Sequence, residues 1–569
     1  MAEKEILVPV KTLDQGEYRW FVFSEEQTGQ QLVCLEDKST GVIVTTPLVS
    51  PDQRSAAHKA WAGARQSRAP GTPWEIMHEM GEKGVNPDEK LEEMFTTYGH
   101  ASVGDMARLQ IDFMTPMHWN MALFNQSAIN GGQEKSTRYQ RGFAGATLHS
   151  IENYLPSEIP EAEVKALEER YQNLGDTSLQ MFARFRDMLI PVFTDFYKPE
   201  TASDRGALAS RVLDCARYAL VLGQSSGMSM ETSARDWSRI IGEMKASPIP
   251  FYGRTASLVE KLLTPTGEEE KALGYLAEAP GLIKHSDPAP TVNQNLARFK
   301  EYLGKNLPDK MNIPFFALAE QVEQGAHLIG SDFSSGDLMV AQYLSLIYPG
   351  IRYYDAVPWA RTQNGEEKRK ISDIIFDGHD KYTELPIWTG TTEGTTVIMK
   401  SFLGELRDFN RHRGMRRFIP MPLTFGLSWD YQTTAQILDH GFGLPRYVDE
   451  INEFKDQKKE MTDLLKGYYD SLNKFFDDTY RRYGRSIDYH FVLNLLPLAH
   501  QTDLWMSGDP KQWNYFASQR VRPSGHINYR TLAWDANDQI SRSDPYLSGM
   551  KLEVPRPDPA SRAEFFDRS

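Results

Sequence analysis

Cysteine is almost missing from this chain: Cys34 and Cys215 are the only two, far apart in sequence. Disulfide scaffolding and cysteine-based zinc sites are thereby excluded in practice. Long apolar runs are missing too, with nothing approaching the roughly eighteen residues that a membrane-spanning helix needs. The opening residues Met1 to Glu5 are charged and lack an apolar core, so no secretory signal is expected. There is no P-loop and no G-x-G-x-x-G, which leaves nucleoside triphosphates and Rossmann-bound dinucleotides without a motif. His379, His490, His500 and His526 show no metal-ligand spacing, and no metal is expected. Positive charge is also in deficit, at a formal net −14 over 569 residues. That balance argues against nucleic-acid binding, which needs a basic face, but small anionic ligands respond to local charge. A soluble, cytoplasmic protein without membrane or nucleic-acid partners is expected.

Against that acidic background stands one basic island. Arg407, Arg411, Arg413, Arg416 and Arg417 fall within eleven residues whose only acid is Asp408, and Arg411-His412-Arg413 lies at their centre. Planar guanidinium groups grip phosphate oxygens two at a time and stay charged at any working pH. An imidazole between them can stack, hydrogen-bond or titrate. Ile398, Phe402, Leu406 and Phe409 recur at helical spacing, which predicts one helix over Val397 to Phe409 running into the triplet.

Hydrophobic 40% and charged 25% describe a globular chain, and its length implies two domains. Alternation from Ile6 to Thr45 predicts short antiparallel strands. Helical patterns follow at Ala56 to Arg65, Trp74 to Met80 and Glu89 to Tyr98, then a strand at Leu109 to Phe113 and a helix from Met117 to Asn125. Long helices are expected from Glu161 to Tyr197 and Arg205 to Leu222, with another starting near Glu231. Pro265, Pro280, Pro288 and Pro290 mark a boundary, giving domains 1–280 and 281–569. In the second, helices are expected at Val292 to Gly304, Leu338 to Tyr348, Val448 to Tyr483 and Gln512 to Gln519. The proline-rich, charged stretch after Val554 is expected to be poorly ordered. The class is α+β.

Glu134-Lys135-Ser136-Thr137-Arg138-Tyr139 resembles the E-x-S-x-R-Y end of the signature of flavin-dependent thymidylate synthases. In that family an R-H-R triplet begins the same signature. Here Asn125 to Ala128 stands where the triplet should be, and the triplet appears instead at Arg411 to Arg413, where Arg416-Arg417-Phe418-Ile419-Pro420 replaces the E-x-S-x-R-Y part. Cys215-Ala216-Arg217-Tyr218-Ala219-Leu220 is similar to the family's A-R-x-x-L-P segment, while Leu493 to Pro497 keeps the proline and lacks the arginine. Arg520 falls at the family's other nucleotide-binding arginine, where the first half has Met244-Lys245. Ala64-Arg65-Gln66-Ser67 resembles the A-R-x-S turn, and Gly99-His100-Ala101-Ser102 the G-H-x-S segment. Each half keeps what the other has lost.

The resemblance implies two tandem domains, each a small antiparallel sheet packed with long helices, that share one composite site. It implies reductive methylation of dUMP with methylenetetrahydrofolate, an FAD cofactor and NADPH as reductant, in a homodimer imitating the family's tetramer. Ser136, Arg138 and Arg520 would be catalytic. Glu134, Ser136, Thr137, Arg138, Arg217, Arg411 and Arg520 would hold the nucleotide. Ser67, His100, Ser102, Glu134, Arg411, His412, Arg413, Asp509, Lys511 and Tyr515 would hold the flavin. Asp408 departs from the family's glutamine, and its carboxylate would repel phosphate unless Arg407 or Arg411 neutralised it. Asp509, Lys511, Tyr515 and Ser233 also replace family residues. Bland readings exist for single residues: Arg217 snorkelling at a seam, His100 capping a helix end, Glu134-Lys135 as an exposed ion pair. Modification of another pyrimidine nucleotide at C5, or flavin and nucleotide binding without catalysis, are the alternatives.

Overall fold

The computed structural model describes residues 9–24, 31–48, 54–66, 86–98, 101–124, 131–135, 148–306, 326–328, 335–378, 394–419, 426–543, 548 and 550–567. These divide into two compact units that are discontinuous in sequence: 1–115, 129–135 and 226–290 form the first, and 116–128, 136–225 and 291–569 the second.

Alternating side chains build the first unit. Strands β1 (Lys11–Gln15), β2 (Tyr18–Ser24), β3 (Gln31–Asp37), β4 (Val42–Leu48), β5 (Arg108–Pro116), β6 (Gly131–Glu134) and β7 (Ser225–Ser233) form one sheet in the order β1-β2-β3-β4-β5-β7-β6. Val42, Val44, Thr46 and Leu48 turn inward along β4 while their neighbours are half-exposed, the period-two pattern of a one-sided sheet. The helix Pro250–Leu263 covers β3 and β4. The sequence places a helix near Glu231; there the chain is still in β7, and the helix begins at Ala234, after Ser233 accepts the Asp236 backbone N–H at 3.1 Å. The Ser233 hydroxyl thus works as a helix cap.

The second unit has a four-stranded sheet, β10-β11-β9-β8, from β8 (Ala326–Leu328), β9 (Thr395–Phe402), β10 (Arg416–Phe418) and β11 (Gln501–Gly508). The helix expected over Val397 to Phe409 is therefore a strand followed by a short helix, Leu403–Phe409. Thr395, Thr396, Val397 and Ile398 are β-branched, and β9 is sandwiched between β11 and β8 with both faces covered, so it lacks alternation. Glu405 fixes the changeover: its carboxylate accepts the Phe402 N–H at 2.6 Å and the Ser401 hydroxyl at 3.0 Å.

The helices Glu161–Tyr197 and Lys455–Tyr483 pack antiparallel, as the cross pairs Glu163–Arg482, Arg170–Asp478 and Arg184–Glu460 show. Exposed pairs of this kind contribute little; the apolar stripes stabilise the contact, with Phe182, Phe185 and Leu189 on one helix and Leu465, Leu472 and Phe476 on the other buried. The stretch after Val554, expected to be poorly ordered, contains the helix Arg562–Phe566. Phe565 stacks on Tyr197 at 3.5 Å between ring centres, a burial that proline content and charge do not reveal.

Between these helices and the sheet, hydrogen bonds occur in exchange-related pairs. Leu222 N–H donates to Leu496 O (2.9 Å) and Leu498 N–H to Leu220 O (2.7 Å); Gly223 donates to Asn494 O (2.8 Å) and Ala499 to Tyr218 O (3.0 Å). One layer out, Met117 and His118 donate to Gln224 O and Leu222 O, while Leu403 and Gly404 donate to His500 O and Leu498 O. Side chains follow suit: His118 meets Asn494 at 2.7 Å, and Tyr218 donates to Glu405.

No helix among the described residues is long and apolar enough to cross a membrane. No cluster of His, Cys, Asp and Glu among them is arranged to hold a metal ion.

Candidate active site

Arg411-His412-Arg413 lies in the turn between the helix Leu403–Phe409 and β10. His412 N–H donates to Phe409 O and Met415 N–H to His412 O, so the helix end tightens into successive turns before the chain extends. Gln512, from the helix Pro510–Arg520, donates to Gly414 O and fastens the turn from the other side. The same helix carries Tyr515 and ends at Arg520.

Together these elements line one open pocket of about 400 Å³, walled by Arg411, His412, Arg413, Gly414, Met415, Gln512, Tyr515, Gln519 and Arg520. Three guanidinium groups line it, and no carboxylate among the described residues does. Tyr515 presents an exposed ring at the rim, 60% accessible. Among the described residues the Arg411 side chain has no partner, and it is exposed. The size falls within the range of small-molecule sites, and the charge selects an anion.

His412 forms the back of the pocket, buried against Phe516 and Tyr515. Burial, then the neighbouring Arg520 and Arg417, push its pKa down to about 3 against the opposing pull of Asp408, so the ring is neutral at physiological pH. Arg520 Nε–H donates to His412 Nε2 at 2.5 Å. Nε2 must then carry the lone pair and Nδ1 the proton, an assignment made from the hydrogen-bond network. The imidazole thus aims Arg520.

Below the pocket, Asp408 is paired with Arg217 at 3.6 Å. Sequence proximity offers Arg407 or Arg411 for that neutralisation, and the structure supplies Arg217 from the end of the helix Ala202–Ala216. Arg217 is 2% exposed and does not line the pocket. Arg407 and Arg417 are also buried. Arg417 Nη1 donates to Asn410 O at 2.7 Å, so part of the basic island holds the turn.

Other sequence candidates fall elsewhere. Asp509 caps the helix Pro510–Arg520, accepting the Gln512 N–H at 2.8 Å; it and the exposed Lys511 stand outside the pocket wall. Glu134, buried on β6, and the exposed Ser102 belong to the first unit. Ser67, His100, Ser136, Thr137 and Arg138 lie outside the described residues. Gln512 and Gln519 also line the pocket, and motif matching misses both; helical spacing from Tyr515 is the available signal, since residues about four apart share a face.

No family model matches the sequence. Over 462 residues it is 17% identical to a UPF0159 protein of Chlamydia pneumoniae, covering 80% of this chain and 78% of that one. Among solved structures, it is similar to thymidylate synthase X of Helicobacter pylori with FAD and dUMP, at 13% identity and a TM-score of 0.22, over 40% of this chain and 95% of that one. A second structure of the flavin-dependent thymidylate synthase ThyX from Helicobacter pylori, also complexed with FAD and dUMP, gives 12% identity and a TM-score of 0.23, over 38% and 94%. Scores this low bear neither on the fold nor on the site, and the chain is placed in no family by them.

Proposed function

We propose that this chain is a tandem, flavin-dependent thymidylate synthase-like enzyme that methylates dUMP using methylenetetrahydrofolate, with FAD as cofactor and NADPH as reductant. The observation that carries the reading is the pocket: Arg411, Arg413 and Arg520 converge around a neutral His412, with no acid among the described lining residues. Three guanidinium groups suit the diphosphate and ring carbonyls of a flavin or the phosphate and base oxygens of a nucleotide, and Tyr515 offers a ring face at the rim. When bound, reduced flavin supplies hydride, and cations beside its ring favour the anionic reduced form. This chain's residues bind and orient: Arg411 and Arg413 hold negative charge, and His412 holds Arg520 at a fixed angle.

The tandem reading, with domains 1–280 and 281–569, is supported by the exchange-related hydrogen bonds. Residues 218–223 and 494–499 bond to one another reciprocally, as an isologous interface between two copies would. A fused pair is freed from symmetry, so the halves can divide their duties. On this reading Arg411, Arg413 and Arg520 of the second half hold the ligand while Arg217 steadies Asp408 beside them, and two chains form a dimer with two working sites.

Purified protein should be yellow and should oxidise NADPH only when dUMP and methylenetetrahydrofolate are both present. Colour without turnover would favour a non-catalytic binder; turnover with another pyrimidine nucleotide alone would redirect the substrate. Complementation of a thymidine auxotroph tests the activity in a cell.

A further inference from the structure

Arg520 is the last residue of its helix, and the chain leaves it through a turn, Val521 to Gly525, containing Pro523 and Gly525. Such an end should fray, since its final carbonyls lack helical partners. Two buried arginines from other parts of the second unit prevent this. Arg530 Nε donates to Val521 O at 3.1 Å, and its Nη2 reaches Glu564 at 2.8 Å. Arg211, fully buried, donates to Pro523 O and Gly525 O, both at 2.5 Å, and on its other side to Phe565 O and Asp567 O at 3.3 and 3.4 Å.

The far anchor is held in place independently. Phe565 stacks on Tyr197, Tyr197 Oη donates to Pro559 O at 2.7 Å, and Arg562 donates to Tyr197 O and Lys198 O. On the pocket side, Gly525 lies against Tyr529 so closely that a Cβ would sit 2.6 Å from its hydroxyl. The Tyr529 ring in turn lies under the Arg520 guanidinium, 5.7 Å from its centre.

We infer that Arg530 and Arg211 are positioning residues for Arg520, and that the segment Ser561–Asp567 is the strap against which they hold the Val521–Gly525 turn. The strap is not among the described residues that line the pocket; it acts by keeping Arg520 aimed at His412. Its bearing on ligand binding rests on the proposed reading of the pocket, but the positioning itself can be read without any ligand.

The test uses the full chain and the His412 tautomer, assigned by 15N NMR at neutral pH against a His412→Gln spectrum. In the unchanged protein, Arg520 holds the proton on Nδ1. Arg530→Lys keeps the charge facing Glu564 but loses the bond to Val521, and Glu564→Gln weakens the anchor while preserving shape. Both should move His412 toward the Nε2–H form usual for a free imidazole, and should speed amide exchange in 518–525 by about tenfold or more, the mark of local opening. Arg184→Gln, which breaks an exposed ion pair with Glu460 between the two long helices and touches neither strap nor turn, is the control and should change neither. The inference is overturned if Arg530→Lys and Glu564→Gln lower the melting temperature while the tautomer and the exchange stay unchanged. It is also overturned if Arg184→Gln moves them equally. If Arg530→Lys does not fold, Glu564→Gln alone decides. Failure of the unchanged protein to bind FAD or dUMP would tell against the proposed function and leave this result standing.

Discussion

Arg211 and Arg530 carry the same guanidinium as Arg411, Arg413 and Arg520, and the two groups lie in one unit, yet their surroundings are opposite. Arg211 has carbonyls on both sides and Asp214 at 3.6 Å, and both side chains are wholly buried. The pocket arginines face open volume, and Arg520 donates there to a neutral imidazole. Burying a charge is tolerable only when hydrogen bonds replace its lost water. Where folded chain surrounds an arginine it is structure; where the arginine faces open volume, a ligand can reach it.

Acid titration reads the two settings together and should have the largest effect. Burial holds His118 and His500 in the interior, and His412 behind the pocket, at a pKa of about 3. An unfolded imidazole takes up its proton below about 6.5. Between those values the unfolded chain binds more protons, so stability present above pH 6.5 is lost as pH falls, by up to about 1.4 kcal/mol per unit for each histidine. Glu405 works the other way: burial raises it to about 7, so its contribution, present below its ordinary value of about 4.5, fades as pH rises to neutrality. The histidines outnumber it, and the denaturation midpoint should fall from pH 7 to pH 5. A midpoint that does not move would contradict the sealed surroundings of these rings. His118→Gln should flatten the slope by one group's share.

Arg211→Ala should cost about 3–5 kcal/mol of stability, the range for removing one member of a buried pair, seen as an earlier chemical unfolding midpoint. A loss comparable to a surface substitution would erase the contrast with the pocket.

Arg520→Ala should raise the dUMP dissociation constant about ten- to a hundredfold, or 1.4–2.8 kcal/mol, with the melting temperature nearly unchanged. Calorimetric titration beside thermal unfolding separates these. Large destabilisation with unaltered binding would move Arg520 into the structural group.

Arg411→Ala should weaken FAD binding by about 1–3 kcal/mol, whereas Arg416→Ala, exposed on β10 and outside the pocket wall, should change it little. Equal losses, measured by flavin fluorescence, would mean diffuse charge replaces the directed contacts inferred for the triplet.

Much of the architecture was legible because it repeats locally. Alternation marks β2 to β4, and the long apolar stripe of Glu161–Tyr197 declares its helix along its whole length. Legibility failed where burial is two-sided: β9 is covered on both faces, so Ile398, Phe402, Leu406 and Phe409 mimicked a helix while spanning a strand and a helix. It failed again after Val554, where one aromatic ring in a pocket of other rings outweighs three prolines. Nor can spacing reveal that Arg217 partners Asp408, since the two are distant in sequence and adjacent only after folding.

By itself the sequence determined the class, α+β, and a concentration of guanidinium charge at Arg411 to Arg417, because propensity, composition and charge are local properties of the chain. Which of those arginines are spent on the chain's own carbonyls and which line a pocket was decided only in three dimensions. Arg417 and Arg413 are close in sequence, yet one is sealed onto Asn410 and the other faces the pocket. Likewise His412 is neutral and turned toward Arg520 because the helix Pro510–Arg520 packs beside it. Desolvation depends on everything that surrounds a group, and most of those neighbours are supplied by chain far away in the sequence.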